Sequence, residues 1–186
     1  MKAGAALVLV VALTVLAQPA PASAQSETVL EPDTYRGEPY NAPVPATLAG
    51  ARVVDADEAL TLHAEGVPFI DVHPRTEKPA GLPEGTYWRE PPHDTIPGAI
   101  WLWNTGYDRL NDAEQARLTD GLTEASGGDM AAPLVIFCRA DCWMSWNAAR
   151  RAVEMGYTGI IWFPGGTDAW TQALGDDLVA AIPVDD

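Results

Sequence analysis

Leu134-Val135-Ile136-Phe137-Cys138-Arg139-Ala140-Asp141-Cys142-Trp143-Met144-Ser145-Trp146 is the stretch on which the reading of this chain turns. Leu134 to Phe137 is continuously apolar, the pattern of a strand covered on both faces. Ser145 to Met155 reads as a helix that Gly156 stops. The loop between them holds both cysteines of the chain. Working outward, the same alternation recurs. Val67 to Val72, Ile100 to Trp103 and Gly159 to Phe163 are further short apolar runs, read as strands. Asp55 or Asp57 can cap a helix running through Leu60 and Leu62 to Gly66. Asn111 or Asp112 can open another through Leu118 and Leu122, before the Ser126-Gly127-Gly128 break. Thr167 or Asp168 starts a last helix after the turn Pro164-Gly165-Gly166. Strands that alternate with helices, and that are apolar throughout, predict a single α/β domain. Its sheet should be mostly parallel, with helices on both faces.

Composition excludes several functions. The 186 residues carry 11 Lys and Arg against 26 Asp and Glu, a formal charge of −15. A nucleic-acid partner needs a basic footprint, and an anionic membrane surface repels such a chain. Two cysteines are too few for a disulfide scaffold, a four-cysteine zinc site or an all-cysteine iron–sulfur site. No phosphate loop and no Gly-x-Gly-x-x-Gly is present, so a nucleotide is not expected. No Cys-x-x-Cys-His is there to attach haem.

The termini read differently from the middle. Lys2 is the only charge before Gln25, Ala5 to Leu16 is apolar apart from Thr14, and Ala22-Ser23-Ala24 is a small-x-small cleavage site. Residues 1–24 are therefore expected to be a cleaved secretory signal peptide, with no membrane attachment afterwards. The Ala-rich composition suits a bacterium, hence a periplasm, where two thiols can pair. Residues 25–52 read as an extended arm with Pro32, Pro39, Pro43 and Pro45. The domain proper spans 53–174, and residues 175–186 form an acidic tail.

The loop Cys138 to Met144 sits beyond the carboxyl end of a strand, the usual ligand position in such a sheet. Backbone N–H groups at the following helix start favour an anion. They would stabilise a thiolate at Cys138, Arg139 would help if it folds inward, and Asp141 would oppose. A weakly lowered Cys138 pKa is expected. A curled loop brings Cys138 and Cys142 within bonding reach. Three readings stay open: a nucleophile with a resolving thiol, a short structural bridge, and two inert thiols. The candidate reacting groups are Cys138 and Cys142. Arg139, Ala140, Asp141, Trp143, Met144 and Ser145 are the candidate binding residues for a small sulfur-containing or anionic ligand.

Four segments in order resemble the rhodanese-like domain, over roughly residues 53–174. They are Phe69-Ile70-Asp71-Val72, Ile96-Pro97-Gly98-Ala99, Cys138 at the head of its loop, and Gly165-Gly166 with Trp170. The resemblance implies Cys138 as nucleophile at the head of an anion cradle. Cys138 to Ala149, with Trp162 and Gly166 to Trp170, further resembles the PQQ-dependent-catabolism-associated CXXCW-motif proteins, although three residues separate the cysteines here. That resemblance implies export and a link to pyrroloquinoline quinone-dependent alcohol oxidation, with a quinoprotein dehydrogenase as partner and a redox cofactor nearby. Trp143 and Met144 stand where sulfurtransferase cradles commonly end in a basic residue. His73 stands where that family carries Arg after Asp-Val. These departures move the expectation from thiosulfate:cyanide chemistry towards thiol–disulfide exchange. A non-enzymatic binding module and a soft-metal chaperone are the competing classes.

Remaining residues are read more plainly. Trp143, Trp146, Trp162 and Trp170 can line a planar ligand, but core packing is the ordinary use of Trp162 and Trp170. Trp101 and Trp103 alternate on a strand and should share a face. His63 is expected on a helix surface. His73 and His93 are acid–base or metal-ligand candidates. Asp71 is expected to anchor hydrogen bonds, and Arg150 and Arg151 to lie solvated or paired.

Overall fold

A computed structural model describes residues 28–184, so the expected signal peptide lies outside the described residues. The strands are β1 (Arg52–Val53), β2 (Phe69–Asp71), β3 (Asp94–Thr95), β4 (Ile100–Trp101), β5 (Leu134–Phe137), β6 (Ile160–Phe163) and β7 (Val179–Ala180). The helices are α1 (Ala56–Ala64), α2 (Asp112–Ser126), α3 (Trp143–Glu154) and α4 (Gly166–Leu174). Five strands form one sheet in the order β1-β6-β5-β2-β4, and every pairing in it is parallel. The expected α/β architecture with a parallel sheet is what the chain adopts.

The pleat explains why these strands carry no polar face. Ile136 and Trp162 point to one side with Leu118, Leu122 and Trp146, whereas Val135, Phe137 and Phe163 point to the other with Ala59 and Trp170. Both sides are therefore apolar, one under α2 and α3, the other under α1 and α4. The helix starts are chemically marked. The Asp55 side chain accepts from the Glu58 N–H, and Asn111 forms a capping box with Glu114.

Several sequence expectations are corrected. The Ile100–Trp103 strand is shorter, ending at Trp101; Trp103 sits in the following turn with its ring against Arg117. It therefore does not share a strand face with Trp101. The helix expected from Ser145 begins at Trp143, two residues earlier. The arm expected to be extended surface chain instead runs into β1 at Arg52 and buries Leu48. The tail also returns to the domain, where β7 pairs antiparallel with β3 near the end of the proline-rich segment 74–97, and the Trp103 indole donates to the Val184 carbonyl. His63 is half-buried, with Nε2 2.7 Å from the Pro97 carbonyl and its ring edge-on to Phe69 and Trp170. Arg151 is buried, not solvated, and donates to the carbonyls of Tyr107 and Asp108 at 3.1 and 3.3 Å. No described helix is long and apolar enough to cross a membrane.

Candidate active site

The loop from Cys138 to Cys142 curls between β5 and α3, and three neighbours hold its backbone. Gly166 lies so close that a Cβ there would stand 2.2 Å from the Cys138 carbonyl oxygen, and its φ is +49°. Only glycine suits that approach and that backbone angle. The Thr167 N–H donates to the same Cys138 carbonyl at 3.0 Å. Asp168 accepts from the Ala140 N–H at 2.8 Å. The arm closes the other side: the Tyr40 carbonyl takes the Trp143 N–H at 2.8 Å, and the Ala42 N–H donates to the Asp141 carbonyl at 2.9 Å. The Trp143 amide is one of the unsatisfied donors at the start of α3, so the arm completes that helix end. Asn147, buried, ties the arm down by accepting from the Arg36 N–H and donating to the Arg36 carbonyl, each at 2.9 Å.

Cys138 and Cys142 are both free thiols, both buried, and within hydrogen-bonding reach of each other. Their surroundings differ. Cys142 is the residue before α3, and the amides of Met144 and Ser145 point at its sulfur. It also lines a cavity of about 230 Å³ with His73, Tyr40, Tyr107 and Arg139. Cys138 is not on that wall. A larger cavity of about 660 Å³ lies between α2 and β4, away from any thiol. The smaller one is the relevant one because it alone among these holds nucleophilic groups.

The pKa expectation is corrected accordingly. Burial pushes the Cys138 thiol well above its ordinary value, and the hydrogen bond and charge of Cys142 add to that. The Cys142 thiol is lowered to about 7, chiefly because Cys138 donates to it, with the Met144, Ser145 and Arg139 amides helping against desolvation. Because α3 starts at Trp143, its free amides fall on the second cysteine rather than the first.

A line of side chains reaches Cys138 from the other direction. Asp71, fully buried on β2, accepts from the His73 N–H at 2.8 Å, from Thr95 Oγ1 at 2.5 Å and from His93 Nε2 at 2.7 Å. It is the hydrogen-bond anchor that the sequence suggested. The His93 ring stacks on His73, with centroids 4.3 Å apart and planes 11° from parallel. His73 Nδ1 stands 3.5 Å from Cys138 Sγ. His73 is lowered from 6.5 to about 4, first by burial and then by His93, with Arg139 adding and Asp71 opposing. In the reduced pair the Cys138 hydrogen lies toward Cys142; a neutral His73 Nδ1 is the acceptor left to it once Cys142 no longer takes that hydrogen, with the ring hydrogen then on Nε2.

Of the sequence candidates, Cys142, Arg139 and Met144 line the cavity, Cys138 stands behind it, and Ala140 and Asp141 fix the loop backbone. Arg139 is exposed rather than folded inward. Trp143 and Ser145 are buried in α3. Trp143, Trp146, Trp162 and Trp170 are all core residues, so no open aromatic wall forms. Sequence reasoning did not find Tyr40, Tyr107 or the Asp71–His93–His73 line. His73 and His93 drew notice singly, but nothing in the sequence shows that their rings stack. Among the described residues, no group of three His, Cys, Asp or Glu converges to hold a metal ion.

Comparison with known proteins agrees with this geometry. No curated protein is similar enough to add a relative. The family model of the rhodanese-like domain matches residues 55–173, well over half of the chain and all of the main sheet except β1. The match includes the curled loop after β5 and the Gly166 turn that supports it, and the chain belongs to the rhodanese-like domain family.

Proposed function

We propose that this protein is an exported thiol enzyme whose Cys138–Cys142 pair cycles between dithiol and disulfide at a rhodanese-like cradle. The observation that carries this reading is the pair itself: two free thiols in mutual reach, one on a cavity wall. A sulfur adduct on either thiol stands beside the other, so attack closes a disulfide and expels the adduct. Thiol–disulfide exchange is the chemistry best matched to that arrangement. Transfer of sulfane sulfur from a small anion is the second reading, favoured by Arg139 at the cavity mouth and by the family.

The signal-peptide pattern in residues 1–24 supports export to a periplasm. The likeness of Cys138 to Trp143 to the CXXCW-motif proteins supports service to a quinoprotein dehydrogenase in PQQ-dependent alcohol oxidation. The residues present do not fit the quinone itself. About 230 Å³ falls below the roughly 300–1,000 Å³ of ordinary ligand pockets. Glu38 shares the wall with Arg139, which opposes a polycarboxylate, and the indoles are buried. For the soft-metal chaperone reading, no group of three His, Cys, Asp or Glu gathers among the described residues, and the two thiols alone support it.

The test is mass analysis of the reduced protein after exposure to a small disulfide or to thiosulfate. The expected result is a Cys138–Cys142 disulfide, with a reduction potential above about −300 mV. A pair that forms no adduct and no disulfide, or one with a potential well below that value, refutes the enzymatic reading. N-terminal sequencing of the secreted form should begin at Gln25.

A further inference from the structure

The two thiols are not equivalent, and their places in the loop suggest an order of events. Cys142 faces the cavity and receives the first amides of α3, whereas Cys138 lies behind it and faces His73. We propose that Cys142 is the attacking thiolate and Cys138 the resolving thiol, which passes its proton to His73 Nδ1. This rests on the dithiol–disulfide reading above and assigns the first step to the cysteine opposite the one implied by the family resemblance.

With a small disulfide RS–SR as oxidant, the electrons balance as follows. The Cys142 thiolate attacks one sulfur, the RS–SR bond breaks, and RS⁻ leaves as Cys142–S–SR forms. Cys138 then gives its proton to His73 Nδ1, and its sulfur attacks Cys142 Sγ. The Cys138–Cys142 bond forms, the bond to SR breaks, and the departing RS⁻ takes the proton from His73. The pair loses two electrons and RS–SR becomes two thiols; a dithiol reductant restores the pair. The first step prepares the second. Once Cys142 is in a mixed disulfide, its negative charge no longer opposes ionisation of Cys138. His73 can relay the proton because Nδ1 faces Cys138 and the ring is held by its backbone N–H on Asp71 and by the stacked His93; burial makes it a weak base that passes the proton on instead of keeping it. His93 is in turn a positioning residue, fixed by Asp71. The cavity of about 230 Å³, with Tyr40 and Tyr107 on its wall, suits a small R group.

The first test uses the unmodified mature protein, reduced and treated with limiting iodoacetamide near the Cys142 value of about 7. Peptide mapping should show labelling of Cys142 at least about tenfold above Cys138. Equal labelling, or an excess on Cys138, overturns the assignment. The second test uses bis(2-hydroxyethyl) disulfide. Cys138→Ala should trap a stable mixed disulfide on Cys142, and Cys142→Ala should take up the reagent about tenfold more slowly than the unmodified protein. A Cys142→Ala protein that reacts at the full rate through Cys138 overturns the order and leaves the dithiol reading standing. Failure of the unmodified protein to close a disulfide removes both. In His73→Asn the mixed disulfide should collapse several-fold more slowly, and the deficit should shrink as rising pH ionises Cys138. Collapse at the original rate overturns the role of His73.

Discussion

His73→Asn also reads the electrostatics of the cradle through stability. In the folded protein the His73 imidazole is lowered from 6.5 to about 4 by burial and by His93. The unfolded chain keeps the ordinary value, so between pH 6.5 and about pH 4 it binds more protons than the native state. Stability is then full above pH 6.5 and falls as the pH drops through that window. A separation of about 2.5 units at about 1.36 kcal/mol each sets an upper bound near 3.4 kcal/mol. His73 is only half-buried, and solvent screening brings the working figure to about 2 kcal/mol. Asparagine does not titrate. The variant should therefore lose about 2 kcal/mol less than the parent across this window, whatever its stability at neutral pH. Urea titrations from neutral pH down to about pH 4 measure the difference. Asp71, His93, Cys138 and Arg139 face His73 and are present in both proteins, so the difference between the two curves reads the place of His73 among them. Parallel stability curves for the two proteins would refute the claim that the cradle holds this imidazole neutral.

Three further outcomes follow from packing and from the loop. Gly166→Ala places a Cβ against the Cys138 carbonyl at a positive φ, so thermal melting should show a loss of at least about 2 kcal/mol and faster alkylation of Cys138. Ile136→Ala empties a fully buried site in the middle of the sheet and should cost about 2–5 kcal/mol in chemical denaturation, with little change in the cysteine alkylation profile. Asn147→Ala removes both side-chain bonds to Arg36 and leaves buried groups unpaired; a loss of about 1–3 kcal/mol and faster proteolysis of the arm are expected.

The sheet was legible because its strands state their environment. Leu134 to Phe137 and Ile160 to Phe163 have no polar position, and a strand covered on both faces needs none. Asn111 and Asp55 announce helix starts because their side chains can accept an amide hydrogen. The start of α3 was misplaced for the matching reason: its cap is Cys142, which makes no side-chain capping bond, so Trp143 and Met144 looked like loop. That error of two residues assigned the helix-start amides to the wrong cysteine. β1 and β3 have two residues each, too few to show any period, and exist through partners far along the chain. The arm and the histidine pair share this origin. Tyr40 meets Trp143, and His73 meets His93, through tertiary packing that no local pattern encodes.

A second thiol in the loop changes what a sulfur adduct can do. On a lone cysteine, a persulfide waits for an external acceptor. Here, a sulfane sulfur on Cys142 stands beside Cys138, and attack at Cys142 Sγ forms the disulfide and releases hydrosulfide. The loop can hold an adduct only while Cys138 keeps its proton. Burial favours the protonated thiol, and so does the negative charge of Cys142 until that charge is consumed. On the function proposed above, the proton on Cys138 decides between sulfur delivery and disulfide closure. The acceptor left to it once Cys142 carries an adduct, His73, is the residue standing where the sulfurtransferase pattern has arginine. An arginine there holds an anionic donor but cannot take a proton at any ordinary pH. A neutral imidazole can, and that difference favours disulfide closure over sulfur storage.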